Sequence, residues 1–211
     1  MIHSHGHGHG HDHDHDHSHD LEPALKDSLY SKIDIDNVRG YNESDTGAAK
    51  GIIKPWHQRK ERTPCLESDC DEQLIVFIPL TGMAKIKSIL LIGGPGAQSP
   101  AKLKVFINSD DIDFDNVEDR TCTQEWDLIE DSGKDVVEYH TRITKFGNVR
   151  SLTLYFPENF GEDTTRLQYI GLTGEWTELR DEPLLTVYEL KPNMADHKVP
   201  GDESRVHQNI F

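Results

Sequence analysis

At 211 residues, 28% of them charged and with a formal net charge of −16, the chain has room for one sizeable core plus polar tails. So acidic a surface repels phosphate backbones, which removes nucleic acid from the expected partners. No apolar stretch approaches the ~18 residues of a membrane-spanning helix, and histidine and aspartate stand where a signal peptide needs an apolar segment, so a cytoplasmic and nuclear location is expected.

From His3 to His19 every odd position is histidine: His3, His5, His7, His9, His11, His13, His15, His17 and His19. With Ser, Gly and Asp between them there is no apolar face to offset the entropy of ordering, so this segment reads as a flexible tail. Its imidazoles at alternate positions suit weak, unselective binding of Zn²⁺, Ni²⁺ or Cu²⁺. From Leu21, the apolar residues Leu25, Leu29, Ile33 and Val38, with Asp20 as a cap and Pro23 in the first turn, predict a short helix within 21–40. Residues 40–72 predict loops and at most one short strand. Lys54, Arg59, Lys60 and Arg62, beside Trp56 and His57, are the chain's one locally basic stretch and read as a solvated turn. The sequon Asn42-Glu43-Ser44 has no use in an intracellular chain. Cys65, Cys70 and Cys122 form neither a C-x-x-C pair nor a zinc set and are expected as reduced thiols, although the Cys65–Cys70 spacing permits a regulatory disulfide.

Beyond residue 72 the pattern changes to period two. The runs 74–78 and 86–92 predict central strands. In 102–108, Leu103, Val105 and Ile107 share one face; in 136–143, Val137, Tyr139, Thr141 and Ile143 do; in 149–156, Leu152, Leu154 and Phe156 alternate with Arg150, Ser151, Thr153 and Tyr155. Segments 166–172 and 184–190 complete seven or eight strands. Turn-rich connections without crossover helices predict an all-β fold, an antiparallel β-sandwich or jelly roll, over 21–193. The polar stretch 194–211 predicts a flexible C-terminal tail.

Motifs of chemistry fail on inspection. Asp110-Asp111-Ile112-Asp113-Phe114-Asp115-Asn116 begins like a calcium loop, but Asn116 stands where the turn needs glycine and Cys122 where a bidentate glutamate belongs. Gly93-Gly94-Pro95-Gly96 lacks the remainder of a phosphate loop and reads as a strand connection. There is no G-x-S-x-G elbow, and His57, His140, His197 and His207 are the only histidines outside the N-terminal tail. No catalytic residue and no cofactor are expected. A hydrolase built on the histidine segment would place its ligands on a mobile support, against the rigidity that catalysis demands.

Three segments, Leu66-Glu67-Ser68-Asp69-Cys70-Asp71-Glu72-Gln73-Leu74; Val105-Phe106-Ile107-Asn108 with Asp113-Phe114; and Gly161-Glu162-Asp163-Thr164-Thr165-Arg166 leading to Tyr169-Ile170-Gly171-Leu172, are distinctive as a set. Taken together they resemble the PITH domain, the proteasome-interacting module found fused to a thioredoxin-like domain and in stand-alone proteins. The stretch Gly174-Glu175-Trp176-Thr177-Glu178 and the histidine-rich start are closer to the stand-alone proteins. The chain departs from the family's frequent L-N-E-S at Gly40-Tyr41-Asn42-Glu43-Ser44. The resemblance implies a galactose-binding-like sandwich, no catalysis, and association with the regulatory particle of the 26S proteasome by a chain that is monomeric when free.

Candidate partner-binding residues are the compact acidic edge Asp69, Asp71 and Glu72, together with Arg166 and Trp176, side-chain types that dominate interface energies. Asp163, Thr164 and Thr165 equally suit a turn cap, and Arg166 an internal ion pair. In the C-terminal tail His207 and the apolar pair Ile210-Phe211 form a candidate docking peptide. The alternative is an intracellular carbohydrate- or small-ligand-binding jelly roll, for which Trp56, Trp126 and Trp176 are the aromatic candidates.

Overall fold

The structure is a computed structural model and describes residues 26–130 and 135–177. Among these residues eight strands occur: β1 (Arg39–Tyr41), β2 (Leu66–Glu67), β3 (Leu74–Gly93), β4 (Lys102–Ile107), β5 (Gln124–Asp127), β6 (Val137–His140), β7 (Val149–Phe156) and β8 (Arg166–Thr177). Their hydrogen-bonded order is β2-β8-β3-β7-β4-β5, with β1 and β6 also pairing with β3, and every pairing is antiparallel.

β3 organises the molecule. It is 20 residues long, and its pairing with β7 shifts register between Pro79 and Ala84. Its first half, Leu74 to Pro79, pairs with β1 and β7, whereas Met83 to Gly93 pairs with β8, and Ser88 to Leu91 with β6. The two expected strands 74–78 and 86–92 are therefore one. Proline and glycine at 79 and 82 mimic a turn in sequence, but here they mark an irregularity in a continuous strand.

One core joins both halves: Leu74, Val76 and Ile78 meet Ile86, Ile89 and Leu91, with Leu103, Val105, Leu152, Leu154 and Phe156 from one side and Leu167, Ile170 and Leu172 from the other. A second small cluster, Ile75, Phe106, Ile112, Val117 and Tyr155, lies on the opposite face of the β3–β7–β4 half. Residues 110–117 cover that face, so Tyr155, which alternation assigns to the polar side, is 1% exposed. A third cluster, Leu90, Ile92 and Tyr169, is covered by Trp56 and Val136.

Residues 27–38 do not form the helix predicted within 21–40. Two 3₁₀ turns, Tyr30–Lys32 and Ile35–Asn37, alternate with single bridges from Ser28 to Thr173 and from Ile33 to Leu80. Leu29, Ile33 and Val38 are buried by these contacts with the sheet, which override a local helical preference. Strands β1, β2 and β5 are too short and polar to show alternation. The basic stretch also departs from expectation: Lys54 is 5% exposed and donates to the carbonyls of Glu61 (2.8 Å) and Pro64 (2.9 Å). Burial holds its pKa below that of an ordinary lysine. All three cysteines are free thiols. The expected strand 184–190 lies outside the described residues.

Candidate functional site

The loops leading into β3 and β8 meet at one end of the sandwich. Asn42, just past β1, takes φ +63°, a left-handed conformation that asparagine tolerates. From there its side chain reaches the loop before β3: Nδ2 donates to Asp71 Oδ1 (2.8 Å) and to the Gln73 carbonyl (2.7 Å), and Oδ1 accepts from the Cys70 amide (3.0 Å). Asp71 Oδ1 also accepts from the Gln73 amide at 3.0 Å. Glu43 braces the other side of this support, accepting from the amides of Gly47 (2.6 Å) and Ala49 (3.0 Å).

The facing wall is the turn before β8. Asn159 Oδ1 accepts from the amides of Gly161 (2.8 Å) and Glu162 (3.1 Å), while its Nδ2 donates to the carbonyls of Glu162 (2.8 Å) and Thr164 (3.0 Å). Gly161 completes the turn at φ +118°, a region that L side chains avoid. Ser68 and Thr165 fasten the two walls together. The Thr165 amide donates to Ser68 Oγ (2.9 Å), the Ser68 amide to the Thr165 carbonyl (3.0 Å), and Thr165 Oγ1 to the Glu72 carbonyl (2.6 Å). Both side chains are buried, so the clamp is dry.

Between the walls lies an open cleft of about 760 Å³, lined by Cys70, Asp71, Glu72, Glu158, Asn159, Gly161, Glu162 and Asp163. Glu158 is paired with Lys102 at 3.2 Å. Glu72, Glu162 and Asp163 make no ion pair among the described residues. A concave wall of carboxylates on a rigid, hydrogen-bonded frame attracts and orients cationic side chains. Its thiol is not a nucleophile in waiting: the hydrogen bond to Asp69 (3.5 Å) and that carboxylate's charge raise the pKa of Cys70.

Of the candidate acidic edge, Asp71 and Glu72 line the cleft, while Asp69 is not among its lining residues and accepts from the Cys70 thiol. Arg166 and Trp176 do not join them. They occupy opposite ends of β8, roughly 30 Å apart along an extended strand. The Arg166 guanidinium donates to Cys65 Sγ (3.0 Å) and lies 4.0 Å from Glu67, turned toward β2. Trp176 packs on the main core with Lys32 Nζ 3.8 Å from its ring centre. Sequence reasoning missed Glu158 and Glu162 as wall carboxylates, and Asn42 as the support of the facing loop that carries Asp71. The one signal was an asparagine between a strand and a polar run, a residue that enters the left-handed region and bonds to nearby backbone.

Among the described residues no group of histidine, cysteine and carboxylate side chains is arranged to hold a metal ion. The acidic run 110–116 is internally satisfied: Asp113 Oδ1 accepts from the amides of Asp115 and Asn116 (3.1 Å each), and Asp111 pairs with Arg120. His57 and His140 are exposed. His3 to His19, His197, His207, Ile210 and Phe211 lie outside the described residues.

The antiparallel jelly-roll fold is that of the galactose-binding-like domains. The CBM32-1 and CBM32-2 domains of Clostridium perfringens ZmpB, solved in complex with GalNAc, share this fold with a TM-score of 0.55 over 76% of this chain and 40% of theirs, at 12% identity. Residues 19–192 match the PITH domain, and the chain belongs to that family. It is 42% identical over 178 residues to PITH domain-containing protein 1 of Dictyostelium discoideum, covering 84% of this chain and 88% of that one. To the Homo sapiens protein of the same name it is 39% identical over 183 residues, covering 85% and 84%.

Proposed function

We propose that this PITH domain is a non-enzymatic interaction module, monomeric when free, that docks on the regulatory particle of the 26S proteasome in cytoplasm and nucleus. The observation that carries the reading is the acidic cleft. Two of the segments that resemble the family, 66–74 and 161–166, are far apart in sequence, yet Ser68 and Thr165 join them into one rigid wall of carboxylates. A frame that spends so many hydrogen bonds on presenting charge, and in which Asp69 pushes up the pKa of the one thiol, suits recognition of a basic protein surface. The C-terminal residues His207, Ile210 and Phe211 supply a second, apolar contact in this reading.

The carbohydrate alternative draws on the fold of the sugar-binding neighbours. Against it, each tryptophan is already engaged. Trp56 packs on the Leu90–Ile92–Tyr169 cluster beneath the Arg59 guanidinium (4.0 Å), Trp126 tilts against Phe146 with its Nε1 on the His140 carbonyl (3.2 Å), and Trp176 lies under Lys32. A sugar platform needs an open aromatic face.

The test is affinity purification from lysate with quantitative mass spectrometry, comparing wild type with the double charge reversal Glu162→Lys, Asp163→Lys. Regulatory-particle subunits are expected with wild type and depleted about tenfold, or ~1.4 kcal/mol, with the variant. Their absence from the wild-type sample removes this reading, and saturable binding to galactose or GalNAc would install the alternative.

A further inference from the structure

At the other end of β1 from Asn42 lies a concavity of opposite character. Asp36, Asn37, Val38, Arg39, Lys50 and Phe77 line an open pocket of about 290 Å³. The Arg39 guanidinium lies 4.3 Å from the centre of the Phe77 ring, and its only hydrogen bond among the described residues is to the Asp110 carbonyl, at the limiting distance of 3.5 Å. Lys50 Nζ donates to the Asp36 carbonyl at 2.6 Å, which leaves two of its three donors. Neither cation makes an ion pair with a carboxylate among the described residues.

Both cations face the one hollow, and their donors are largely unused. Stacking on Phe77 fixes the plane of the Arg39 fork while leaving most of its N–H edge unused, which is the form in which arginine takes a carboxylate or phosphate bidentately. Lys50 adds a mobile point charge on the same hollow.

We propose that this pocket receives one anionic side chain, a carboxylate or a phosphate, presented by a protein partner. The pocket's small size suits a single side chain better than a whole metabolite. Because β1 is only three residues long, its two ends are about 10 Å apart, so cationic pocket and acidic cleft are close enough to engage one partner segment carrying an acidic group and, a few residues away, basic ones. The inference rests on the interaction-module reading only for the kind of molecule that carries the anion, and its test needs no proteasome.

The probes are three acetylated and amidated peptides, identical except for one central Glu, phosphoserine or Gln, titrated into the ¹⁵N-labelled full chain and followed by amide chemical shifts. The Glu or phosphoserine peptide, or both, is expected to shift Arg39, Gly40 and Lys50 saturably, which identifies the anion; the Gln peptide is expected to leave them unmoved. Arg39→Ala is expected to weaken binding about tenfold, Arg39→Lys severalfold because charge stays while the fork is lost, and Lys50→Gln severalfold. Lys50 is exposed on a short helix, so Lys50→Gln keeps the test alive should Arg39→Ala perturb Phe77. Equal binding of the Gln peptide, or unchanged affinity in both Arg39→Ala and Lys50→Gln, overturns the proposal.

Discussion

Asn42 and Asp71, 29 positions apart in sequence, are held side chain to side chain at 2.8 Å, with the same Asn42 amide also 3.3 Å from the Asp71 carbonyl. The acidic wall is therefore supported from β1, outside the loop that carries it. Asn42→Ala removes this support and leaves alanine at φ +63°. The expected loss is about 2–3 kcal/mol, from the hydrogen bonds and the strained backbone together. Asn42→Gly keeps the backbone relaxed and is expected to recover about 1 kcal/mol of it. Urea unfolding of the two variants measures both, and equal stability of wild type and Asn42→Ala would show that the loop supports itself.

Gly82 makes room for Trp176. A Cβ at position 82 would stand 2.8 Å from Trp176 Nε1 and 3.1 Å from the Thr177 carbonyl, a backbone atom that cannot step aside. Gly82→Ala is expected to cost about 1–3 kcal/mol, as overpacking does, and to change the tryptophan emission as the indole is displaced. A variant with unaltered emission and melting temperature would contradict the packing.

Stability is expected to fall at both ends of the pH range. Lys104 (2.8 Å) and the Tyr155 hydroxyl (2.8 Å) hold the Glu118 carboxyl below its usual pKa. A depressed acid contributes stability that is present above the unfolded value of about 4.3 and lost as pH drops through the folded one. Glu118 is more than half exposed, so the increment is under about 1 kcal/mol. Glu118→Gln should lower stability at pH 7 and converge with wild type in acid. At the other end, burial pushes Tyr169 up to about 12, so its contribution is complete below pH ~10 and lost as pH rises through 12; Tyr169→Phe should flatten that alkaline limb.

Cutting the chain after Met194 is expected to reduce proteasome affinity roughly ten- to several hundredfold, the worth of burying Ile210 and Phe211 less the cost of ordering them. Binding measurements on full-length and shortened proteins of equal melting temperature test this. Equal affinities would leave the domain face as the sole contact.

Deleting residues 1–20 is expected to abolish most Zn²⁺ or Ni²⁺ binding, since nine of the thirteen histidines lie there, without altering the melting temperature. Metal titration with undiminished affinity would move the site into the domain.

Alternation made most of the sheet legible. The expected 149–156 coincides with β7, and 102–108, 136–143 and 166–172 overlap β4, β6 and β8. It failed where tertiary contact outweighs pattern. Tyr155 and Phe106 face away from the main core, and only the excursion of residues 110–117 across them, through Ile112 and Val117, makes that face interior. Likewise, residues 28–38 have apolar side chains at helical spacing, but their backbone groups find partners at Thr173 and Leu80 instead. At the site the acidic edge 69–72 was readable as charge. Its pairing with 158–163 was not, because Ser68 and Thr165 are ordinary residues until the fold sets them 2.9 Å apart.

Because β3 pairs with β1, β6, β7 and β8, almost nothing in this sandwich closes locally. β8 is the last described strand, so a chain emerging from the ribosome holds β3 with one long edge unpaired until residue 177 has been made. The acidic cleft has the same dependency, since its second wall is the turn that precedes β8. A ligand of the cleft consequently meets only molecules in which the turn before β8 has docked: occupancy reports that this strand is home.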